Sequence, residues 1–180
     1  HDDLHGAAER LAPRPGTDVA IMLALAYVLA TEGLADRDFL DRYCVGYDKF
    51  EDYLLGRTDG VAKTPQWAAA LSGLSAETLA ALARRMAAGR TLITVTWSLQ
   101  RVRHGEQAPW AGVTLAAMLG QIGLPGGGFG HGYGSMNEPG IAPVPYPLPT
   151  LFQGDNPVGD LIPVAAISDL LLRPGQEYDF

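Results

Sequence analysis

Thr91-Leu92-Ile93-Thr94-Val95-Thr96-Trp97-Ser98-Leu99-Gln100-Arg101-Val102-Arg103-His104-Gly105-Glu106-Gln107 is the stretch on which the fold turns. A run of β-favouring, mostly branched residues leads straight into an indole, a hydroxyl, an amide and two guanidiniums. Helical patterning lies on both sides of it. In an α/β sheet this combination predicts a buried strand, Thr91–Thr96, whose C-terminal end delivers polar groups to a ligand crevice.

Upstream of that strand, Ser75 is placed to cap a helix over Ala76–Ala88, with Leu79, Leu82, Ala83 and Met86 on one face and Gly89 as its stop. The strand follows almost at once, so helix, short link and strand form one αβ step of a doubly wound sheet. Thr64-Pro65 reads as N-cap and first residue of a helix Pro65–Leu71. Two shorter helical patterns, Asp38–Cys44 and Tyr47–Leu55, carry aromatics expected to pack rather than to hold a cofactor. At the front, Pro13-Arg14-Pro15-Gly16-Thr17-Asp18 forms a stiff turn, with Thr17 as N-cap and Asp18 favoured by the helix dipole. The helix it opens runs to Thr31 with a buried stripe expected at Val19, Met22, Leu23, Ala26, Tyr27 and Ala30.

Downstream, Pro109 is expected to open a helix reaching about Ile122, with a stripe at Val113, Ala116, Ala117, Leu119 and Gly120. Gly123–Gly134 is glycine-dense and reads as a loop, either structural or ligand-covering. It lacks the Gly-Lys-Ser/Thr ending of a phosphate-cradling Walker loop, and no helix is expected after it. Residues 138–157 are Pro-rich and predict an extended surface segment. A helical pattern returns over Asp160–Leu172, and Tyr178-Asp179-Phe180 reads as the start of a strand.

Composition narrows the function classes. With 47% apolar and 18% charged residues the chain is a globular one. A net charge of −7 gives no general attraction to nucleic acid or to anionic membrane. Cys44 is the single cysteine, which excludes both an internal disulfide and a multi-thiolate metal site. No apolar run approaches the ~20 residues that span a bilayer. His1 and His5 flank aspartates but read as solvated residues, and the polar start without Met predicts a piece of a longer chain.

The central cluster has recognisable chemistry. Trp97 offers a stacking face and an N–H, Ser98 a hydroxyl, Gln100 an amide, and Arg101 a fork for phosphate or carboxylate. Arg103, His104, Glu106 and Gln107 read equally well as an exposed, mutually paired loop. Gly16-Thr17-Asp18 is either a plain capped helix start or a polar-ligand site at a helix N-terminus. In the second case Asp18 suits a guanine better than a bare phosphate, because a carboxylate accepts from both the ring N–H and the exocyclic amine. No Ser/His/Asp or Cys/His arrangement supports nucleophilic catalysis. The residues alone describe an α/β domain that binds a polar, phosphate-bearing ligand.

Three ordered motifs go further: Arg14-Pro15-Gly16-Thr17-Asp18-Val19-Ala20; Trp97-Ser98-Leu99-Gln100-Arg101 with His104-Gly105-Glu106-Gln107; and Gly120-Gln121-Ile122-Gly123-Leu124-Pro125-Gly126-Gly127-Gly128-Phe129-Gly130. Together they resemble the dimethyl sulfoxide reductase family of molybdenum enzymes. Within it the chain is most similar to the dimethyl sulfoxide, trimethylamine N-oxide and biotin sulfoxide reductases. Asn156-Pro157 and Ile162-Pro163-Val164-Ala165 fit the same pattern.

The resemblance implies a helix-rich fragment of a Rossmann-like, doubly wound three-layer α/β domain from a larger multidomain enzyme. Residues 1–135 would belong to the cofactor-binding domain, 136–159 to a Pro-rich extended segment, and 160–180 to a helix and strand start of the same domain. The implied cofactor is molybdenum bis(molybdopterin guanine dinucleotide). Gly16, Thr17 and Asp18 match a motif contacting a guanosine end of it, and Trp97, Ser98 and Arg101 match contacts near the cleft, with Gln100 and Gln107 as neighbours. No catalytic residue or metal ligand is assigned to this chain, and the side chain on molybdenum is expected upstream of His1. Implied partners are a small S- or N-oxide substrate, the remaining domains of the subunit and an external electron donor, with no nucleic acid and no membrane span. The alternative is a non-catalytic nucleotide-binding or interaction domain of the same fold. Met136-Asn137-Glu138-Pro139-Gly140 departs from the aromatic, glycine-rich sequence usual in that group, which leaves the identity of the oxide open.

Overall fold

The first helix, α1 (Asp18–Thr31), is the hub around which α4 (Pro65–Ser72), α5 (Ala76–Ala88) and α6 (Gln107–Met118) are packed. The computed structural model describes residues 8–131, 149, 151, 152, 154, 155 and 167–173, and the chain divides into two units, His1–Ala142 and Pro143–Phe180. A single buried stripe is not what α1 shows. Its buried residues are Leu23, Ala24, Leu25, Ala26, Val28 and Leu29, so of the expected stripe only Leu23 and Ala26 are buried. Helices on several sides explain this, since a helix that is apolar all round belongs to an interior. Leu29 is fully buried, a contribution of about 1.5–3 kcal/mol from its side chain alone.

Short-range chemistry sets the neighbouring helices. The Thr64 hydroxyl accepts from the Trp67 N–H at 3.1 Å and starts α4, with Pro65 as its first residue. The Ser75 hydroxyl accepts from the Thr78 N–H at 3.1 Å and starts α5, whose Leu79 and Ala83 are buried. Asp36 accepts from the Phe39 N–H at 2.9 Å and starts α2 (Arg37–Tyr43). Its own N–H reaches the Met118 carbonyl at 2.8 Å, satisfying an acceptor in the last turn of α6. Gly46, with φ +85°, opens α3 (Tyr47–Leu54). Between α3 and α4 lies a fully buried Lys63, whose Nζ donates to Asp59 Oδ2 at 2.7 Å and to the Val61 carbonyl. The ammonium lies 4.1 Å from the Tyr53 ring centroid, so cation–π attraction and hydrogen bonds together offset its desolvation.

The strand foreseen at Thr91–Thr96 is β1 (Leu92–Val95). It pairs in parallel with β2 (Gly128–His131), in the register Leu92↔Gly128, Ile93↔Phe129, Thr94↔Gly130 and Val95↔His131. Two expectations need correcting here. The segment around Phe129 is a strand and not loop throughout. And β1 is not buried: Leu92 is 47% exposed and Thr94 is exposed, while Ile93 and Val95 are half-buried. Among the described residues β1 has one strand neighbour, and α6 packs against it, which leaves alternate side chains in the open. Gln121 locks the entry to β1, its Oε1 accepting from the Thr91 N–H and its Nε2 donating to the Gly89 carbonyl, both at 2.8 Å.

Helix α6 begins at Gln107 rather than Pro109 and ends at Met118 rather than Ile122. It buries Ala108, Gly112, Leu115, Ala116, Ala117 and Met118, while Val113 of the expected stripe is 39% exposed. β1, α6 and β2 thus form one parallel β-α-β unit, which places the chain in the α/β class with a helix-rich body and a small parallel sheet. In the second unit, α7 (Ile167–Leu172) realises the end of the helix expected at 160–172. Residues 160–166, the Pro-rich segment apart from 149, 151, 152, 154 and 155, and 174–180 lie outside the described residues, as do His1, His5 and Met136–Gly140. Among the described residues no helix is long and apolar enough to cross a membrane.

Candidate functional site

Two clusters hold the side chains singled out by the sequence. The first is the start of α1. Arg14 fixes its approach: Nη1 donates to the Ala70 and Leu71 carbonyls at 3.0 and 3.3 Å, and its N–H to the Ser72 carbonyl at 2.8 Å. These are last-turn carbonyls of α4, so one arginine finishes that helix and aims the next. Gly16 then turns with φ +77°, with no neighbour within 4 Å of where a Cβ would stand. Thr17 does not cap α1 as expected. Its backbone sits at φ −107°, ψ 11°, and its hydroxyl donates to the Arg14 carbonyl at 2.6 Å. The first-turn amides of α1 consequently have no side-chain acceptor. Asp18 is half-buried beside them, its carboxylate in no hydrogen bond or ion pair among the described residues. Such an end, with open amides and an unspent acceptor, can take a ligand carrying both kinds of group.

The second cluster lies at the C-terminal ends of the two parallel strands, where α/β sheets bind ligands. After Val95 the chain tightens into a 3₁₀ turn, Trp97–Gln100. Ser98 Oγ lies 2.7 Å from Thr96 Oγ1, which orients both hydroxyls. Trp97 is 46% exposed, and one of its faces stacks on His131 from the end of β2, with ring centroids 5.5 Å apart and planes at 15°. His131 Nδ1 is 3.2 Å from the Val95 carbonyl. Arg101 is exposed, and its guanidinium makes no hydrogen bond or ion pair among the described residues. Gly105 is buried, and a Cβ there would stand 1.9 Å from the Gln100 carbonyl oxygen, so the turn closes only around glycine. His104 before it takes φ +59°, an uncommon conformation for a side-chain-bearing residue.

The exposed, mutually paired loop expected over Arg103, His104, Glu106 and Gln107 holds in part: His104 and Gln107 meet at Glu106, no hydrogen bond or ion pair among the described residues includes Arg103, and Gln107 is already the first residue of α6. Gln107 Nε2 donates to Glu106 Oε1 at 3.3 Å, and His104 Nδ1 lies 3.9 Å from the same oxygen. Hydrogen bonds from its own backbone N–H and from Gln107, aided by His104, hold the Glu106 carboxyl below the usual carboxylate range. Gln107 also lines a second feature, an apolar hollow of about 560 Å³ shared with Val19, Tyr47, Phe50 and Trp110. So Trp97 comes together with His131 and the Ser98 hydroxyl with Thr96, while Gln107 joins the wall next to the start of α1. Among the described residues no hydrogen bond or ion pair links Gly16-Thr17-Asp18 to Trp97, Ser98 or Arg101.

Sequence reading missed Arg14 and His131. The first has no local signal, because its acceptors lie 56 and 57 residues further on. The second became visible only once β2 was paired with β1.

A model of the molybdopterin oxidoreductase family matches residues 1–175. The chain is 45% identical to the dimethyl sulfoxide/trimethylamine N-oxide reductase of Rhodobacter capsulatus, an alignment covering 96% of this chain and 22% of that protein. It is 46% identical to the biotin sulfoxide reductase of Cereibacter sphaeroides, covering 97% and 23%. It is 47% identical to trimethylamine-N-oxide reductase 1 of Escherichia coli K12, covering 93% and 21%. The chain therefore spans a little over a fifth of the length of the relatives it matches. Across nearly all of its own length, it belongs to the molybdopterin oxidoreductase family.

Proposed function

We propose that this chain is part of the catalytic subunit of a molybdenum oxidoreductase that reduces an S-oxide or N-oxide of the dimethyl sulfoxide, trimethylamine N-oxide or biotin sulfoxide type. Residues 1–135 form part of a Rossmann-like, doubly wound three-layer domain, of which β1-α6-β2 is one crossover. The cofactor is bis(molybdopterin guanine dinucleotide), which presents guanine, phosphates and a flat pterin. The observation that carries this reading is a set of polar groups without protein partners among the described residues, open α1 amides and Asp18 at one place and Arg101 at another, with a half-exposed Trp97 and the Thr96-oriented Ser98 hydroxyl beside the latter. That set fits each part of such a dinucleotide.

Gly16 lets a ligand approach the backbone closely, and Thr17 and Asp18 face the guanosine. Asp18 accepts from the ring N–H and exocyclic amine of guanine. Arg101 offers its fork to phosphate, Ser98 a hydroxyl, and Trp97 a flat apolar wall. Gln100 and Gln107 stand as neighbouring amides. When bound, the molybdenum cofactor supplies two-electron oxygen-atom-transfer chemistry, and the protein contributes binding, orientation and electrostatics. Overall, the oxide, two electrons from an external donor and two protons give the sulfide or amine and one water. Other domains of the subunit supply the rest of the site.

The test is expression of the full-length protein with molybdate. Molybdenum by mass spectrometry, pterin fluorescence after release and oxide-dependent oxidation of reduced viologen are the expected results. A folded full-length protein with neither metal nor pterin overturns the proposal.

A further inference from the structure

We propose that His131 is an additional cofactor-facing residue, whose imidazole Nε2 accepts a hydrogen bond from an N–H of the bound heterocycle at the mouth of β1 and β2. This rests on the functional reading above and adds a residue to it. A carbonyl oxygen only accepts, so the 3.2 Å contact between His131 Nδ1 and the Val95 oxygen places the proton on Nδ1. In the neutral ring that leaves Nε2 with a free lone pair, in the tautomer set by the other nitrogen's partner.

The ring is also held in orientation. It stacks nearly parallel on Trp97 at 5.5 Å, and it lies 6.3 Å and 14° from Phe129 on the same strand. The pairing Val95↔His131 puts it at the strand ends, level with the start of the turn that carries Trp97 and Ser98. His131 itself is exposed, and among the described residues its only hydrogen bond is the one through Nδ1, so Nε2 has no protein partner there. An imidazole fixed through Nδ1 and stacked on Trp97 offers Nε2 as its one remaining acceptor, at the same strand ends that carry Trp97 and Ser98. Pterin and guanine rings both carry N–H donors in their planes, and a stacked imidazole beside Trp97 suits an in-plane donor of that kind.

Two measurements on the full-length protein test it. In the first, wild-type protein is made with cofactor, and also in a host unable to synthesise molybdopterin. Both preparations are treated with diethylpyrocarbonate, and the peptide containing His131 is followed by mass spectrometry. Modification in the cofactor-free protein and protection in the loaded one are expected, and equal modification overturns the inference. In the second, His131→Phe keeps a flat ring without the acceptor, and His131→Gln returns an amide oxygen near the Nε2 position. Cofactor loss, read as pterin fluorescence and molybdenum released on dialysis, is expected to be about threefold to tenfold faster for His131→Phe, the scale of one neutral hydrogen bond. His131→Gln is expected to recover most of that difference. Release unchanged in His131→Phe, or equally fast in both variants, counts against the acceptor. Should either variant fail to fold, the wild-type protection experiment decides alone. A protein that never carries pterin or molybdenum overturns the functional reading and this inference with it, whereas a loaded protein with unprotected His131 overturns only the latter.

Discussion

Thr17 and Thr64 occupy the same position at the starts of two adjacent helices and do opposite things. Thr64 sits in extended backbone at ψ 161° and gives its oxygen to the Trp67 N–H. Thr17 sits at ψ 11°, turns its hydroxyl back onto the Arg14 carbonyl, and leaves the α1 amides uncapped. The difference lies upstream, in what Arg14 holds. By gripping the end of α4 it fixes the Pro15-Gly16 turn, and the turn dictates the backbone of Thr17. One threonine caps the start of its helix; the other helps hold a helix start open toward whatever meets Asp18.

An open end is tolerable because α1 does not depend on it. Its buried residues lie from Leu23 onward, so Leu29→Ala, in a fully buried position of the last turn, is expected to cost about 2–5 kcal/mol, read from urea unfolding of the domain. If that substitution cost no more than a cap, the view of α1 as a packed hub with an expendable start would fail.

Next in size come the residues without partners. In full-length protein, Asp18→Ala and Arg101→Ala are each expected to weaken cofactor retention by about 1.5–3 kcal/mol, the scale of a charge-assisted hydrogen bond, with little change in unfolding. Molybdenum and pterin content after dialysis measure this. Unchanged content in both variants removes Gly16-Thr17-Asp18 and Arg101 from the site.

A smaller effect bears on the comparison directly. Thr64→Ala should lower stability by about 1 kcal/mol, as loss of a capping oxygen does. Thr17→Ala loses only a hydroxyl-to-carbonyl bond within a turn, and should cost clearly less. Equal losses in paired urea titrations would mean that Thr17 caps α1 after all.

The same contrast explains what was legible in the sequence. Thr64-Pro65 and Ser75 announced α4 and α5 correctly because their partners lie three residues away. Thr17 misled because its behaviour is decided by Arg14 reaching across to α4. The stripe on α1 misled for a similar reason: Ala24, Val28 and Leu29 are buried by neighbours that local periodicity does not register. Gly128-Phe129-Gly130-His131 has little strand propensity of its own and becomes β2 through its pairing with Leu92–Val95. In the site, Trp97 and Ser98 could be read from the strand's polar end. His131 could not, because it arrives on the strand that the sequence concealed.

The far end of α1 supplies the smallest and most specific test, because there an exposed pair closes what the start leaves open. Glu32 follows the last turn, and both its oxygens accept from Arg84 on α5, at 2.7 Å each. A carboxylate at a helix C-terminus is repelled by the helix dipole, so its charge is supported by Arg84 alone. Hydrogen bonding to Arg84 outweighs desolvation and holds the Glu32 carboxyl below its ordinary value of 4.5. A group depressed on folding stabilises above its unfolded value, and that contribution disappears as pH falls through the depressed one. Glu32→Gln should therefore melt slightly below wild type at pH 7, with the gap shrinking below about pH 4.5 and closing in strong acid. Salt should narrow the gap at pH 7 as well, since the pair is exposed. A gap that stayed constant from pH 7 into acid would show that Glu32 acts through packing rather than charge. The two ends of α1 would then differ only in shape, and not in that one is neutralised by the protein while the other is left for a ligand.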